Sequence, residues 1–151
     1  MTPMELLQTA HDVLDKESKA LELLANSQDD SFVQAVNVIN QTKGRVIVTG
    51  MGKSGHVGRK IAASLSSLGT TAYFVHPGEA SHGDLGMIEP ADVVLALSNS
   101  GEAPELSDII AFCRRFDIKL IGMTARRDST LARQSDVVLC LPPVEEACPF
   151  G

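Results

Sequence analysis

Apolar positions recur at helical spacing through the first quarter of the chain: Leu6, Leu7, Ala10, Val13, Leu14, Ala20, Leu21 and Leu24 predict one long amphipathic helix from about Pro3 to Asn26. A second helix is expected from Ser31 to about Asn40, capped by Asp29 or Asp30, with Phe32, Val36 and Ile39 on one face. From Arg45 the period changes. Short β-rich runs near 45–49, 71–75, 92–97, 118–123 and 136–140 alternate with helical stripes, and that alternation predicts a parallel α/β sheet. Between the first two strands Val57, Ile61, Leu65 and Leu68 form an expected buried stripe, closed by Gly69 in the left-handed conformation. Leu106, Ile109, Ile110, Cys113 and Phe116 form the next stripe.

Two loops break this pattern with chemistry. GMGKSG, Gly50 to Gly55, follows Val46-Ile47-Val48, and SNSGE, Ser98 to Glu102, follows the run Val93 to Leu97. In an open parallel sheet the carboxyl ends of the strands are where ligands gather, and small residues there bring backbone N–H groups and hydroxyls close to an anion. Gly50, Gly52 and Gly55 approximate GxGxxG, but the next strand ends Tyr73-Phe74-Val75-His76 without the acidic residue of a dinucleotide site. A P-loop needs a glycine where Ile47 stands. What remains is a short turn offering Lys53, Ser54 and helix-terminal amides, suited to a phosphomonoester. Each loop by itself also reads as an ordinary helix cap; their occurrence after two central strands shifts the reading toward a phosphorylated small molecule.

Composition narrows the class. At 151 residues and 44% hydrophobic content the chain supports one domain with a substantial core. Thirteen Lys and Arg against nineteen Asp and Glu give a net charge of −6, with no basic run, so nucleic acid is not an expected partner. Cys113, Cys140 and Cys148 lack metal-ligand spacing and suit reduced thiols, hence a cytoplasmic location. The first twenty residues are too charged for a signal-peptide core or a span, so no membrane is expected either.

GMGKSGHVGRK from Gly50, FVHPGEASHGDLGM from Phe74, SNSGE from Ser98 and EEACPFG from Glu145, in this order, resemble the sugar isomerase (SIS) domain of D-arabinose 5-phosphate isomerases. The resemblance covers roughly residues 5 to 151 and implies a three-layer α-β-α, flavodoxin-like fold with a five-stranded parallel sheet behind an N-terminal helical preface. It implies interconversion of D-ribulose 5-phosphate and D-arabinose 5-phosphate through a cis-enediol, supplying 3-deoxy-D-manno-octulosonate (KDO) for lipopolysaccharide or capsule. It also implies a homotetramer and no required cofactor. Carried over by position, Lys53, Glu105 and Glu146 are the expected catalytic groups. Ser54, Ser98, Asn99 and Ser100 are expected at the phosphate, Gly69, Thr70 and His82 at the substrate, and His76 is expected to take a zinc ion that inhibits rather than catalyses. Where many SIS domains carry a threonine this chain has Ala103.

The chemistry asks for such groups: one base takes a carbon-bound proton, and the enediol must be stabilised while the proton returns to the neighbouring carbon. Glu146 is the expected base, Glu105 a second acid/base or hydrogen-bonding group, and Lys53 the neutralising charge. The PGEAS segment between His76 and His82 is too rich in Pro, Gly and Ser for regular structure; it reads either as a loop covering the site or as a surface connection carrying two ordinary histidines. In the family EACP is followed by a Ser/Thr-rich stretch, a helix with a catalytic histidine and often paired cystathionine β-synthase (CBS) domains. The sequence ends at Gly151, so the expectation is one SIS domain over 1–151, with helices over about 3–41, an α/β core over about 44–151, no CBS domains, and a cradle more complete than its catalytic apparatus. A phosphosugar-sensing domain and an isomerase of another sugar phosphate are the alternative readings.

Overall fold

The computed structural model describes residues 2–148 and divides into two compact units, Met1–Gln28 with Leu141–Gly151, and Asp29–Cys140. In the first, α1 (Pro3–Asn26) starts at a capping box: Thr2 accepts the Glu5 N–H at 3.3 Å and the Glu5 carboxylate accepts the Thr2 N–H at 2.7 Å. No residue of α1 is buried, and Leu7, Leu14 and Leu21, seven apart, are 63%, 63% and 67% exposed. The second helix, α2 (Asp30–Gln41), is capped by Asp29, which accepts the Ser31 N–H at 2.9 Å. It belongs to the α/β unit rather than to a separate preface, because Ala35 is buried among Val46, Val48 and Val137.

Among the described residues five strands form one parallel sheet: β1 (Val46–Gly50), β2 (Ala72–Phe74), β3 (Val93–Leu97), β4 (Lys119–Thr124) and β5 (Val137–Cys140), in the order β2-β1-β3-β4-β5. The central strands β1 and β3 are buried at every position, which is why they read as continuous apolar runs rather than alternating ones. Ile47, Val94 and Leu120 face α4 (Pro77–Ala80), α5 (Ser107–Phe116) and α6 (Thr130–Gln134); Val46, Val48, Val93 and Leu95 face α2 and α3 (Gly52–Ser67). The result is the expected three-layer α-β-α, flavodoxin-like arrangement. Its strand order reverses between β1 and β3, the point at which α3 leaves on one face and α5 on the other, so a crevice opens above their carboxyl ends.

Three expectations change in detail. The buried seam of α3 is not Val57 and Leu68, which are 53% and 85% exposed, but the small residues Gly55, Gly58 and Ala62, with Ile61 and Leu65 partly buried beside them. A Cβ on Gly58 would stand 3.1 Å from the Phe74 ring and 3.2 Å from Val48, so the helix sits on the sheet at glycine distance. Phe116 is likewise 45% exposed, its ring 4.6 Å from that of Phe112. PGEAS is not an irregular loop: Pro77–Ala80 form the one-turn helix α4, with Pro77 and Ala80 buried. Gly69 does follow α3 with φ +94°.

The amino-terminal edge of the sheet is held by paired charges. The buried Asp92 accepts the Arg45 N–H at 2.7 Å, Arg45 Nη2 at 3.1 Å and the Glu89 N–H at 2.8 Å. Burial alone would raise its carboxyl, but these donors outweigh that and hold it below the usual carboxylate range. Asp136 accepts Arg114 Nη2 at 2.6 Å, Lys119 Nζ at 3.3 Å and the Leu120 N–H at 2.8 Å.

Candidate functional site

The GMGKSG loop carries β1 into α3, a sixteen-residue helix whose N-cap, Met51, makes no side-chain hydrogen bond to it. The first amides of α3 therefore face outward at the positive end of the helix dipole, a ready-made anion site. Lys53 is exposed in that first turn and Ser54 is half-buried. On the opposite side of the switch point lies the SNSGE loop. Ser98 Oγ accepts the Gly101 N–H at 3.1 Å, and Ser100 Oγ accepts the Glu102 N–H at 3.2 Å. Each serine oxygen thus closes a local turn while its O–H remains a donor, so the cap and the anion contact are compatible uses of one hydroxyl.

This second loop is anchored from behind. The Asn99 carbonyl accepts the Ala125 N–H at 3.0 Å and the Thr124 hydroxyl at 3.1 Å, and the Gly101 carbonyl accepts the Leu131 N–H at 3.0 Å. Gly101 has φ +66°, and a Cβ there would collide with Ser129 Oγ; only glycine fits. Asn99 itself is exposed. A 3-10 turn over Pro104–Leu106 follows, carrying the half-buried Glu105, before α5 begins at Ser107.

Not every expected residue joins these loops. Gly69 and Thr70 lie at the amino-terminal edge: the adjacent Thr71 carbonyl accepts the Val46 N–H at 2.9 Å, at the start of β1. The GMGKSG loop leaves from the end of that strand, on the order of 13 Å away at about 3.3 Å per residue. His82 is exposed between α4 and a second 3-10 turn, Asp84–Met87. Glu146 is exposed in the terminal unit. His76 is the N-cap of α4, its Nδ1 accepting the Gly78 N–H at 3.2 Å. Among the described residues no group of three His, Cys, Asp or Glu is placed to hold a metal, and His76 already spends one ring nitrogen on the cap, so the residues of this chain do not by themselves fit a zinc ion. Cys113 is buried and its thiol is pushed up to about 12 by that burial, which makes it a packing residue.

Two contacts escaped the sequence. The Arg59 guanidinium lies 4.3 Å from the centre of the Phe74 ring, covering the edge strand beside the loop. Glu102 Oε1 accepts the Thr130 N–H at 2.8 Å at the start of α6. Only its place inside SNSGE could have signalled the second; nothing in the linear pattern pairs Arg59 with Phe74.

The SIS domain family profile matches residues 39–150. The chain is 49% identical over 144 residues to the arabinose 5-phosphate isomerase KdsD of Escherichia coli O157:H7, covering 95% of this chain and 44% of the relative. It is 47% identical over 148 residues to the KdsD of Yersinia pestis, covering 98% and 45%. The chain therefore spans less than half the length of these relatives. A solved E. coli CFT073 protein in complex with arabinose 5-phosphate superposes with a TM-score of 0.95 at 36% identity, covering 100% of this chain and 80% of that one.

Proposed function

The chain belongs to the SIS domain family, and from that premise we propose that it interconverts D-ribulose 5-phosphate and D-arabinose 5-phosphate. The observation that carries the reading is the meeting of an uncapped helix N-terminus and a hydroxyl-rich loop at the β1/β3 switch point, with Lys53 in the first turn of that helix and Glu105 in the 3-10 turn that follows the loop. The phosphate takes the α3 amides and the hydroxyls of Ser54, Ser98 and Ser100, with Asn99 beside them. Glu146 removes the C1 proton of the ketose, the C2 carbonyl becomes the enediol oxygen, and the proton returns to C2 as the C1 carbonyl forms. Glu105 exchanges protons with the enediol oxygens, and Lys53 offsets their negative charge. The steps are redox-neutral overall and ask for no organic cofactor.

The same premise supports a cytoplasmic homotetramer feeding KDO synthesis. The exposed seven-residue stripe Leu7, Leu14 and Leu21 is apolar surface suited to a neighbouring copy. In such an assembly Gly69, Thr70 and His82 contact substrate held by another copy, and an inhibitory zinc ion at His76 would need its other ligands from outside this chain.

The test is to incubate the chain and its Glu146→Gln variant with D-ribulose 5-phosphate, following binding and arabinose 5-phosphate formation separately. Loss of a general base is expected to lower turnover by about 10²–10⁴-fold while binding persists. Equal turnover in both removes Glu146 as the base. Binding without turnover in both replaces the isomerase reading with a phosphosugar sensor.

A further inference from the structure

Glu102 is the one charged residue of SNSGE, and a carboxylate in a loop that takes a phosphate works against anion binding unless its charge is met elsewhere. Here it is met. Glu102 Oε1 accepts the Thr130 N–H at 2.8 Å, at the N-terminus of α6, where negative charge is favoured. Thr130, first through its side chain and then through its backbone N–H, holds the Glu102 carboxyl below its usual range, with Arg133 and Arg126 adding to the effect. The bond is one of four between this loop and the segment from Thr124 to Leu131; the other three use the carbonyls of Asn99 and Gly101. Those three fix the loop from Asn99 to the Gly101–Glu102 peptide. The Glu102 side chain adds the last tie, and its own N–H is the donor that closes the Ser100 turn.

We infer that Glu102 is a positioning residue for the phosphate site: by tying the end of the SNSGE loop to the start of α6 it sets the direction of the Ser100 hydroxyl and of the loop amides, without itself contacting the ligand. The inference rests on the phosphate-site reading above, and its consequences separate from it. A residue that only orients phosphate donors affects ground state and transition state alike, so its loss raises KM and leaves kcat nearly unchanged. What the loop needs is an acceptor for the Thr130 N–H, not a charge, so glutamine replaces glutamate and alanine does not.

Glu102→Ala and Glu102→Gln are compared with the unaltered chain by amide hydrogen exchange, by binding of inorganic phosphate and arabinose 5-phosphate, and by steady-state kinetics. In Glu102→Ala, exchange protection at Thr130 falls, and both ligands bind about fivefold to tenfold more weakly, the worth of one hydrogen bond. KM rises by the same factor, kcat stays within about twofold, and Glu102→Gln returns all of these to within about twofold of the original values. Unchanged protection at Thr130 in the alanine variant overturns the inference, as does equal or tighter phosphate binding in both variants, which would make the carboxylate merely a repelling charge. A fall in kcat at constant KM overturns it as well. The exchange arm reads the tie with no ligand present, so a chain that fails to convert ribulose 5-phosphate refutes the isomerase reading while leaving this inference decided on its own terms.

Discussion

The two edges of the sheet bury polar groups in opposite ways. Among the described residues five polar side chains are buried: Asp92 at the amino-terminal edge, and Thr49, Ser98, Thr124 and Ser129 towards or beyond the carboxyl ends of β1, β3 and β4. At the amino-terminal edge every carboxylate of the clamp meets a cation and a backbone N–H, so the site is electrostatically closed. At the other edge the buried groups are neutral hydroxyls: Thr124 and Ser129 donate to the Asn99 and Arg126 carbonyls, whereas Ser98 only accepts and keeps its O–H to give, and the first turn of α3 nearby has no side-chain cap. One edge is saturated by its own sequence and can only stabilise; the other is left one partner short and can bind. Substitutions at the two edges should accordingly separate stability from ligand affinity.

The largest effect is expected at the closed edge. Asp92→Ala leaves the Arg45 and Glu89 amides without their acceptor and the guanidinium without its main partner. Loss of a buried pair of this kind costs about 3–4 kcal/mol, towards the low end of the range because the Arg45 side chain is 31% exposed. Thermal melts should show a drop of roughly 6–16 °C, while phosphate affinity of the folded protein stays within about twofold if the edges are independent. The same clamp sets an acid limit. The Asp92 carboxyl is held below its ordinary range in the folded state, so its contribution is fully present above the unfolded value of about 3.9 and is lost as pH falls through the folded value. Melting temperature should fall on acidification below about pH 4, and more shallowly in Asp92→Ala. A variant with unchanged stability would show that the pair is not what closes this edge.

Gly101→Ala addresses the open edge. The φ of +66° and the overlap of a Cβ with Ser129 Oγ impose left-handed strain and a clash together. A cost of about 2–3 kcal/mol is expected. Unlike the Asp92 change, it should also weaken inorganic phosphate binding, because the backbone that moves is the one carrying the Ser98 and Ser100 turns. Calorimetric titration against thermal melts checks the pairing. If affinity holds while stability falls, this loop is structural in the same sense as the Asp92 clamp and the contrast between the edges fails.

How much of this was legible in the sequence follows from what leaves a trace in a linear pattern. Continuous runs such as Val46-Ile47-Val48 and Val93 to Leu97 are buried on both faces, so strands and their parallel arrangement could be placed within a residue or two. The seam of α3 could not, because hydrophobic periodicity is carried by bulky residues and the contact is made by Gly55, Gly58 and Ala62, whose role is to be absent from the gap. The two loops stood out by composition, yet Gly69 and Thr70 could be tied to the substrate only by resemblance; topology sends them to the opposite edge of the same chain. PGEAS looked irregular because Pro and Gly break long helices, whereas Pro77 at the first position of a single turn costs nothing. Glu102 was visible as a letter in SNSGE, but its partner Thr130 is twenty-eight residues on, beyond any local signal.

The smallest expected effect decides where the open edge ends. Thr49 lies directly before the GMGKSG loop, is fully buried, and its Oγ1 is the single buried side-chain polar atom without a hydrogen-bond partner among the described residues. Its backbone pairs with Ala96, and alternation along β1 turns its side chain to the face of Ile47, towards the α5 layer and away from α3. A hydroxyl on that face, covered by protein, has no route to an anion seated on the α3 amides. It should then be a pure cost, and Thr49→Val, which keeps the shape and removes the orphan group, should stabilise the protein by about 1 kcal/mol, raising the melting temperature by roughly 2–4 °C. Phosphate and arabinose 5-phosphate affinities should stay within about twofold. If the valine variant melts higher but binds more weakly, the hydroxyl is held unpaired for a ligand, and the open edge reaches one residue down into the strand rather than stopping at the loop.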